Sequence, residues 1–139
     1  MKFERLQNKL IEHEGLRLKP YLCTAGKLTI GVGRNLDDVG ITKDEATTLL
    51  ANDILRCIAV GQSIFGEGWL KLSDVRQEVI VNMIFNLGET GFRNFKNTIE
   101  YIRTGAYDKA GDEMLASRWA KQVPKRAYEL ALAMKTNQI

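Results

Sequence analysis

Residues 13–33 read HEGLRLKPYLCTAGKLTIGVG, and the pattern of apolar side chains changes within this stretch. Leading into it, apolar residues recur at steps of three and four along positions 3–14, which is typical of a helix with one apolar face. Gly15 then predicts the end of that helix. The last helical residue is therefore Glu14, on the apolar side.

A strand is predicted in the second half of the quoted stretch. Leu28, Ile30 and Val32 alternate with Thr29 and two glycines, and the segment 25–27 (Ala-Gly-Lys) supplies a turn before them. Because the glycines carry no side chain, the face that holds Thr29 leaves room for a ligand close to the backbone.

After residue 40 the sequence has the period of helices. Thr42 and Glu45 have the spacing of a capping box, which predicts a helix that reaches about Gln62. Ser73 can cap a strongly apolar helix, which we expect to be buried on nearly all sides. Further helical patterns lie near 94–104, 107–118 and 124–136, with glycine breaks at Gly88, Gly91 and Gly105.

These elements predict an α+β, mainly α fold in a single domain that spans 1–139. We expect a lobe of residues 13–60, with the β-sheet and a long connecting helix, and a helical lobe of residues 1–12 and 61–139. A groove where two such lobes meet is a common place for a ligand.

The composition excludes a disordered chain and a membrane-spanning one. Of the 139 residues, 45% are hydrophobic and 27% are charged, and no run of about 18 apolar residues occurs. Twenty Lys and Arg against 17 Asp and Glu give a net charge of +3. This mild excess favours an anionic partner, such as a cell wall or a nucleic acid, without choosing between them.

The first seven residues interrupt their apolar side chains with charges, so we expect no secretory signal and a protein made and folded in a cytoplasm. In a reducing compartment Cys23 and Cys57 are expected to be free thiols. The His, Cys and Asp residues do not have the spacing of a metal site, and we expect no metal and no cofactor.

Three residues of the quoted stretch carry groups suited to chemistry. Glu14, at the end of an apolar face, would be shielded from water, and such a setting favours a protonated carboxyl. Alternatively, it is a half-buried carboxylate paired with Arg118 or Arg126. Cys23 and Thr29 could face Glu14 across a gap, although a buried thiol and a strand-forming threonine are also ordinary structural residues.

The whole 13–33 stretch resembles the active-site segment of phage-type lysozymes. That family's pattern is Glu, eight residues, Asp or sometimes Cys, five residues, Thr, and then Ile-Gly-x-Gly. Residues 82–91 (NMIFNLGETG) and 117–126 (SRWAKQVPKR) look like the same family, in the family's order. The resemblance covers nearly the full chain and implies a lysozyme-like fold.

The resemblance implies hydrolysis of the β-1,4 bond between N-acetylmuramic acid and N-acetylglucosamine in peptidoglycan. Glu14 takes the position of the general acid and Thr29 that of the residue that positions the attacking water. Cys23 stands where many relatives have aspartate. Its thiol would orient the water without taking its proton, become a thiolate if a cation lowers its pKa, or attack carbon as a nucleophile, and these alternatives stay open.

The same resemblance implies that Phe85, Asn86, Thr98 and Arg118 bind the sugar, although Phe85 is as easily read as a core residue. Trp69 and Trp119 are assigned to packing, and His13 to the end of its helix. The expected partner of these groups is the peptidoglycan glycan strand. We expect no nucleic-acid binding, no membrane insertion, and a monomer.

Other functions fit parts of this pattern. A lytic transglycosylase would cleave the same bond with the product's own hydroxyl in place of water. A peptidoglycan-binding protein could have lost catalysis together with the aspartate at position 23. A nucleic-acid regulator would rest only on the net charge and the helix content, because no helix is strongly basic. For the leading hypothesis, an endolysin, we expect release from the host cytoplasm to the periplasm through a holin-type route.

Overall fold

The computed structural model describes all residues from Met1 to Ile139 and has the predicted α+β, mainly α architecture. Three short strands lie near the N-terminus, and helices form almost everything after residue 42. In chain order the elements are α1 (Phe3–Glu14), β1 (Arg17–Leu22), β2 (Leu28–Gly31), β3 (Arg34–Asn35), α2 (Lys43–Phe65), a 3-10 helix (Gly66–Lys71), α3 (Asp74–Arg93), α4 (Lys96–Arg103), α5 (Tyr107–Leu115), α6 (Arg118–Gln122) and α7 (Pro124–Thr136).

The chain forms two compact units, Met1–Leu49 and Leu50–Ile139, and the division falls inside α2. The first unit contains α1, the sheet and the start of α2. The assignment of residues 1–12 to the helical lobe stays a prediction. No helix of the chain is both long enough and apolar enough to cross a membrane.

The first unit is built around an antiparallel sheet in the order β1-β2-β3. Thr29 is in register with Tyr21 of β1 and with Asn35 of β3. The strand prediction was two residues too long, because β2 ends at Gly31 and the chain turns at once into β3. Both Gly31 and Gly33 have positive φ values, 71° and 65°, which side chains disfavour but a tight turn requires.

Helix α1 has the predicted bounds, and Gly15 (φ 77°) ends it by donating its N–H to Ile11 O at 2.8 Å. Its apolar face, however, is not covered. Phe3, Leu6 and Leu10 are each at least 42% exposed. The strands of this unit have only six, four and two residues, so they offer little apolar surface to bury a helix.

The capping box at the start of α2 is confirmed. Glu45 N donates to Thr42 Oγ1 at 3.1 Å, and Thr42 N donates to Glu45 Oε1 at 2.8 Å. Helix α2 continues to Phe65, three residues past the predicted end.

The second unit holds all of the buried apolar side chains, which come from α2, the 3-10 helix and α3 to α7. Trp69 and Trp119 are both 4% exposed, so their assignment to packing is confirmed. The largest fully buried apolar side chains are Phe92, Ile80, Met83, Ile102, Met114 and Met134.

Helix α3 starts at the predicted cap, where Ser73 Oγ accepts from Arg76 N at 3.2 Å. The expectation that it is buried on nearly all sides is wrong, because Glu78, Asn82 and Phe85 form an exposed face. The apolar residues therefore cover one side of the helix only. Gly88 has the non-helical values φ 77° and ψ 167° and introduces a kink, as its position predicted.

The last helices differ from the prediction mainly at one boundary. The pattern over 107–118 divides into α5 and α6, because Ser117 leaves the helix and its Oγ caps α6 by accepting from Ala120 N at 3.2 Å. Pro124 occupies the first turn of α7, as expected from its missing N–H.

Candidate active site

Glu14 is the last residue of α1, and its carboxylate lies against the turn that follows β2. A β-carbon placed on Gly33 would be 2.9 Å from Glu14 Oε2 and 3.2 Å from its Cδ. A real side chain at position 33 would therefore displace the carboxyl. The turn after β2 thus gives Glu14 a defined neighbour, although the two residues are 19 positions apart in the sequence.

The prediction that Glu14 is shielded from water is wrong, since the residue is exposed. The first unit lacks the apolar surface that such shielding would need. The alternative, a structural ion pair, is not seen either. Glu14 makes no salt bridge, and Arg126 instead donates to Asn82 Oδ1 at 2.8 Å. The Glu14 carboxylate is therefore free to meet a ligand.

The Glu14 carboxylate borders a shallow cavity of about 370 Å³ in the first unit. The cavity lies between the end of α1 and the turn after β2, and its lining residues are Gln7, Leu10, Ile11, Glu14, Val32 and Gly33. The sequence predicted room for a ligand on the strand face that carries the glycines. At Gly33 the Glu14 side chain takes up this room, and the cavity lies next to the two residues.

Thr29 lies in the middle of β2 and is the only buried residue of the first unit, with 3% of its surface exposed. Its hydroxyl donates to Lys27 O at 2.8 Å. Because a hydroxyl has one proton, this bond leaves the lone pairs of Thr29 Oγ1 as acceptors.

Cys23 stands in the turn between β1 and β2 and is half-buried, with a free thiol. Its N–H donates to Lys27 O at 2.9 Å, which closes the turn. The pKa of this thiol lies below its ordinary value, chiefly because the backbone N–H groups of Lys27 and then Ala25 donate to the sulfur. Hydrogen bonds from uncharged groups therefore favour the thiolate, where the sequence suggested a cation.

Cys57, by contrast, is a buried structural thiol. It lies on α2 and is 5% exposed. Burial raises its pKa, because the thiolate would lose its hydration. Of the two free cysteines, only Cys23 has the surroundings of a reactive one.

Of the three predicted catalytic residues, the structure brings Cys23 and Thr29 together and places Glu14 beside Gly33. Cys23 and Thr29 are neighbours at the start of the β1–β2 hairpin, and Glu14 and Gly33 are neighbours at the turn that leaves β2. A single strand of four residues joins the two pairs.

The predicted sugar-binding residues belong to the second unit and differ in exposure. Phe85 is 46% exposed, so the alternative that it is a core residue is wrong, and it lines a cleft of about 710 Å³. Arg118 is exposed at the start of α6. Thr98 is only 2% exposed, about as little as Thr29. Asn86 accepts from the buried indole of Trp119, with Oδ1 2.7 Å from Nε1.

The cleft beside Phe85 contains groups that the sequence did not single out. The cleft is lined by Leu50, Ile54, Ile58, Trp69, Asp74, Gln77, Glu78, Val81, Asn82, Phe85 and Arg126. Asn82 and Arg126 form its polar end, since Arg126 Nε donates to Asn82 Oδ1 and Nη2 to Asn82 O. The two residues are 44 positions apart, and no local pattern indicates their contact.

A second missed feature is an ion pair of the first unit. Arg34, directly after Gly33, binds both carboxylate oxygens of Glu45, at 2.9 and 2.8 Å. The sequence pattern indicated a capping role for Glu45 and no role for Arg34.

Comparison with known proteins adds an independent observation. A family model described as Phage lysozyme matches residues 11–133. The chain is similar to an endolysin of Acyrthosiphon pisum secondary endosymbiont phage 1, with 32% identity over 113 residues that cover 78% of this chain and 73% of the endolysin. The matched range of the family model includes Glu14, Cys23 and Thr29.

Two further similarities come from proteins of different kinds. The pre-baseplate central spike protein Gp5 of Enterobacteria phage T4 is 28% identical, and the match covers 91% of this chain but only 27% of that protein. A protein of Dictyostelium discoideum named probable T4-type lysozyme 2 is 23% identical, and the match covers 96% of this chain and 95% of that protein.

Proposed function

Because the chain belongs to the phage lysozyme family, we propose that it is a muramidase, which hydrolyses the β-1,4 bond between N-acetylmuramic acid and N-acetylglucosamine in bacterial peptidoglycan. The main support is the position of the Glu14 carboxylate, exposed and in contact with the turn that ends the strand of Thr29. Glu14 at the end of α1 supplies an acid, and Thr29 on β2 supplies a hydroxyl that can bind a water, and glycoside hydrolysis can use both.

In this proposal Glu14 is the general acid. Its proton passes to the glycosidic oxygen while the bond between that oxygen and the sugar C1 breaks. The carboxyl therefore has to carry its proton when the sugar is bound.

Thr29 holds the attacking water as an acceptor. Its own proton is engaged by Lys27 O, so the water donates one hydrogen to Thr29 Oγ1 and keeps a lone pair for C1. As the water oxygen adds to C1, its proton has to leave for a nearby base.

Cys23 is the proposed recipient of that proton. The N–H groups of Lys27 and Ala25 that lower its pKa would support a thiolate beside Thr29, in the place where an aspartate would carry the negative charge. A thiolate can also stabilise positive charge on the sugar or attack C1 directly, and the variants below separate these roles.

In glycosidases the acid and the second catalytic group lie about 5 to 9.5 Å apart, and this separation decides the stereochemical outcome. In this proposal the two groups are Glu14 and Cys23, and the stereochemical outcome stays open.

Lysis of permeabilised cells tests the role of Glu14. Purified wild type should clear chloroform-treated Gram-negative cells, and Glu14→Gln, which keeps the size of the side chain but cannot donate an acidic proton, should not. Glu12→Gln is the matched control, because Glu12 is exposed on the same helix and only pairs with Lys9. Equal clearing by wild type and Glu14→Gln would rule out the proposed acid.

Mass spectrometry of the released fragments identifies the reaction. Muropeptides with reducing ends indicate hydrolysis, and anhydro ends indicate a lytic transglycosylase. Binding to sacculi with no released fragments indicates a peptidoglycan-binding protein without catalysis. In the Cys23 series, full activity of Cys23→Ser would exclude a thiolate or a sulfur nucleophile, and activity of Cys23→Asp alone would indicate a charged base.

The substrate contacts are proposed for Phe85, Asn86, Thr98 and Arg118, and all of these except Thr98 are exposed residues. The endolysin similarity supports a role in lysis of the host cell. Release through a holin-type route, the monomeric state and the absence of nucleic-acid binding stay predictions.

A further inference from the structure

The turn that contacts Glu14 is anchored by a residue with no assigned role in the reaction. Arg34 follows Gly33 directly and begins β3. Its guanidinium makes three hydrogen bonds, with Nη1 to Glu45 Oε1 at 2.9 Å, Nη2 to Glu45 Oε2 at 2.8 Å, and Nη1 to Gly40 O at 3.1 Å. A planar guanidinium that binds both oxygens of one carboxylate fixes direction as well as distance.

Glu45, which together with Arg34 forms what we call the anchor of the turn, is itself held in place. Glu45 Oε1 also accepts from Thr42 N at 2.8 Å, and Glu45 N donates to Thr42 Oγ1. The hydrogen bonds from Arg34 are the largest cause that lowers the pKa of Glu45 to about 2, so its carboxylate is charged near neutral pH. The first turn of α2 therefore holds Arg34 through a permanently ionised partner.

We propose that Arg34 and Glu45 are positioning residues, which hold the Gly31–Gly33 turn where it sets the carboxylate of Glu14. The chain of contacts runs from the start of α2 through Glu45 and Arg34 to Gly33, and from Gly33 to Glu14. Since the proposal assigns a catalytic role to Glu14, it rests on the proposed function.

A purely structural role is the competing explanation, and its expected effect is different. The pair is partly exposed, with 36% of the Arg34 side chain and 40% of the Glu45 side chain accessible, and partly exposed pairs contribute little to stability. Catalysis is far more sensitive, because a displacement of about 1 Å of a reacting group can cost about a hundredfold in rate.

Two variants disturb the anchor in different ways. Arg34→Lys keeps the positive charge but cannot bind two oxygens at once. Glu45→Gln keeps an oxygen for Thr42 N, and so the helix cap, but loses the charge that holds Arg34. The control is Asp53→Asn, which removes a 2.8 Å ion pair with Arg56 on the same helix and touches no part of the turn.

The measurements are kcat and KM on purified sacculi, the melting temperature, and the NMR signals of the Gly33 amide and the Glu14 carboxyl in the full chain. We expect kcat to fall about tenfold to a hundredfold in both variants, with KM close to that of the control and a melting temperature only slightly below it. The Gly33 and Glu14 signals should shift in both variants and stay unchanged in Asp53→Asn.

The outcomes distinguish the two proposals. If Glu14→Gln is inactive while Arg34→Lys and Glu45→Gln match the control in kcat, the positioning role is wrong and the muramidase mechanism stands. Unshifted Gly33 and Glu14 signals would overturn the positioning role as well. If Glu14→Gln clears cells like wild type, the proposed function fails, whatever the effect of the anchor variants.

Discussion

The carboxylate of Glu14 occupies the space that a side chain at Gly33 would need. The nearest approach, 2.9 Å between Oε2 and the position of a β-carbon on Gly33, is shorter than a normal contact of a carbon with an oxygen. Glycine is favoured at this position for two reasons. The backbone has a φ of 65°, which other residues disfavour, and the Glu14 carboxylate lies too close for a side chain. The effect of the close approach can be tested separately from that of the backbone conformation.

Gly33→Ala should lower both stability and activity. The positive φ costs about 1 kcal/mol for a residue with a side chain, and the new methyl group forces the Glu14 carboxyl away. We expect kcat to fall about tenfold or more, because Glu14, the proposed acid, is then displaced from the glycosidic oxygen. Thermal unfolding and turnover of purified sacculi measure the two effects separately.

Gly31→Ala is the matched control for this variant. Gly31 has nearly the same φ, 71°, but a β-carbon there would meet nothing within 4 Å. It should lose a similar amount of stability and keep most of its activity. Equal activities of the two alanine variants would show that Glu14 does not depend on the space beside Gly33.

Cys23 should react with alkylating reagents at a lower pH than an ordinary cysteine. Its lowered pKa means that the thiolate, the reactive form, is present at a pH where a free thiol is still protonated. Cys57 should stay unmodified in the folded protein, because it is buried and its pKa is raised. The pH dependence of iodoacetamide labelling, read out by peptide mass spectrometry, gives both results.

Removing the Thr29 hydroxyl tests the cause of this shift. Thr29→Val should leave the labelling curve of Cys23 almost unchanged, because the Thr29 proton is donated to Lys27 O and the shift comes chiefly from the backbone N–H groups of Lys27 and Ala25. A Cys23 that labels no faster than Cys57 would contradict the hydrogen bonding described for the turn.

Local patterns predicted most of the fold because they reflect local physical causes. The end of α1 at Gly15 and the caps at Thr42 and Ser73 all depend on residues within four positions of each other. The kink at Gly88 likewise follows from one residue's backbone. Each of these could be located in the sequence without knowledge of the tertiary structure.

The errors and omissions concern burial and long-range contacts. The apolar face of α1 predicted a shielded Glu14, but a pattern cannot say whether another element covers the face. The bonds of Arg126 to Asn82 and of Arg103 to Ile64 O link positions 44 and 39 residues apart. Such pairings follow from how helices pack and leave no trace in the spacing of nearby residues.

Asn86 should have separable structural and substrate-binding roles. Its Oδ1 accepts from Trp119 Nε1 at 2.7 Å, so Asn86→Leu leaves a buried indole N–H without a partner, at a cost of about 1 to 3 kcal/mol. Asn86→Asp keeps an acceptor for the indole but loses the amide donor. We expect the aspartate variant to be nearly as stable as wild type and, if the amide binds sugar, to have a raised KM.

Trp119→Phe completes a double-mutant cycle with Asn86→Leu. If the hydrogen bond is the only strong link between the two side chains, the double variant should be more stable than the sum of the two single effects predicts. Additive losses in the free energy of unfolding would show that the bond contributes nothing, and an unchanged KM in Asn86→Asp would remove Asn86 from the substrate contacts.

The Arg34–Glu45 pair should make stability dependent on pH only in acid. The pKa of Glu45 is about 2 in the folded protein, against an ordinary value of 4.5, so the folded state favours the carboxylate. This contribution is fully present above pH 4.5 and is lost as the pH falls through 2, because protonation then costs the folded state its bonds to Arg34. The melting temperature of wild type should therefore exceed that of Glu45→Gln by a constant amount near neutral pH, and the difference should shrink steadily from about pH 4.5 downwards.

Asp53→Asn, measured across the same range, corrects for the general effect of removing an exposed carboxylate. A difference between wild type and Glu45→Gln that stays constant down to pH 2 would mean that the bidentate pair does not form in solution, and the anchor proposed for the Gly33 turn would then lose its basis.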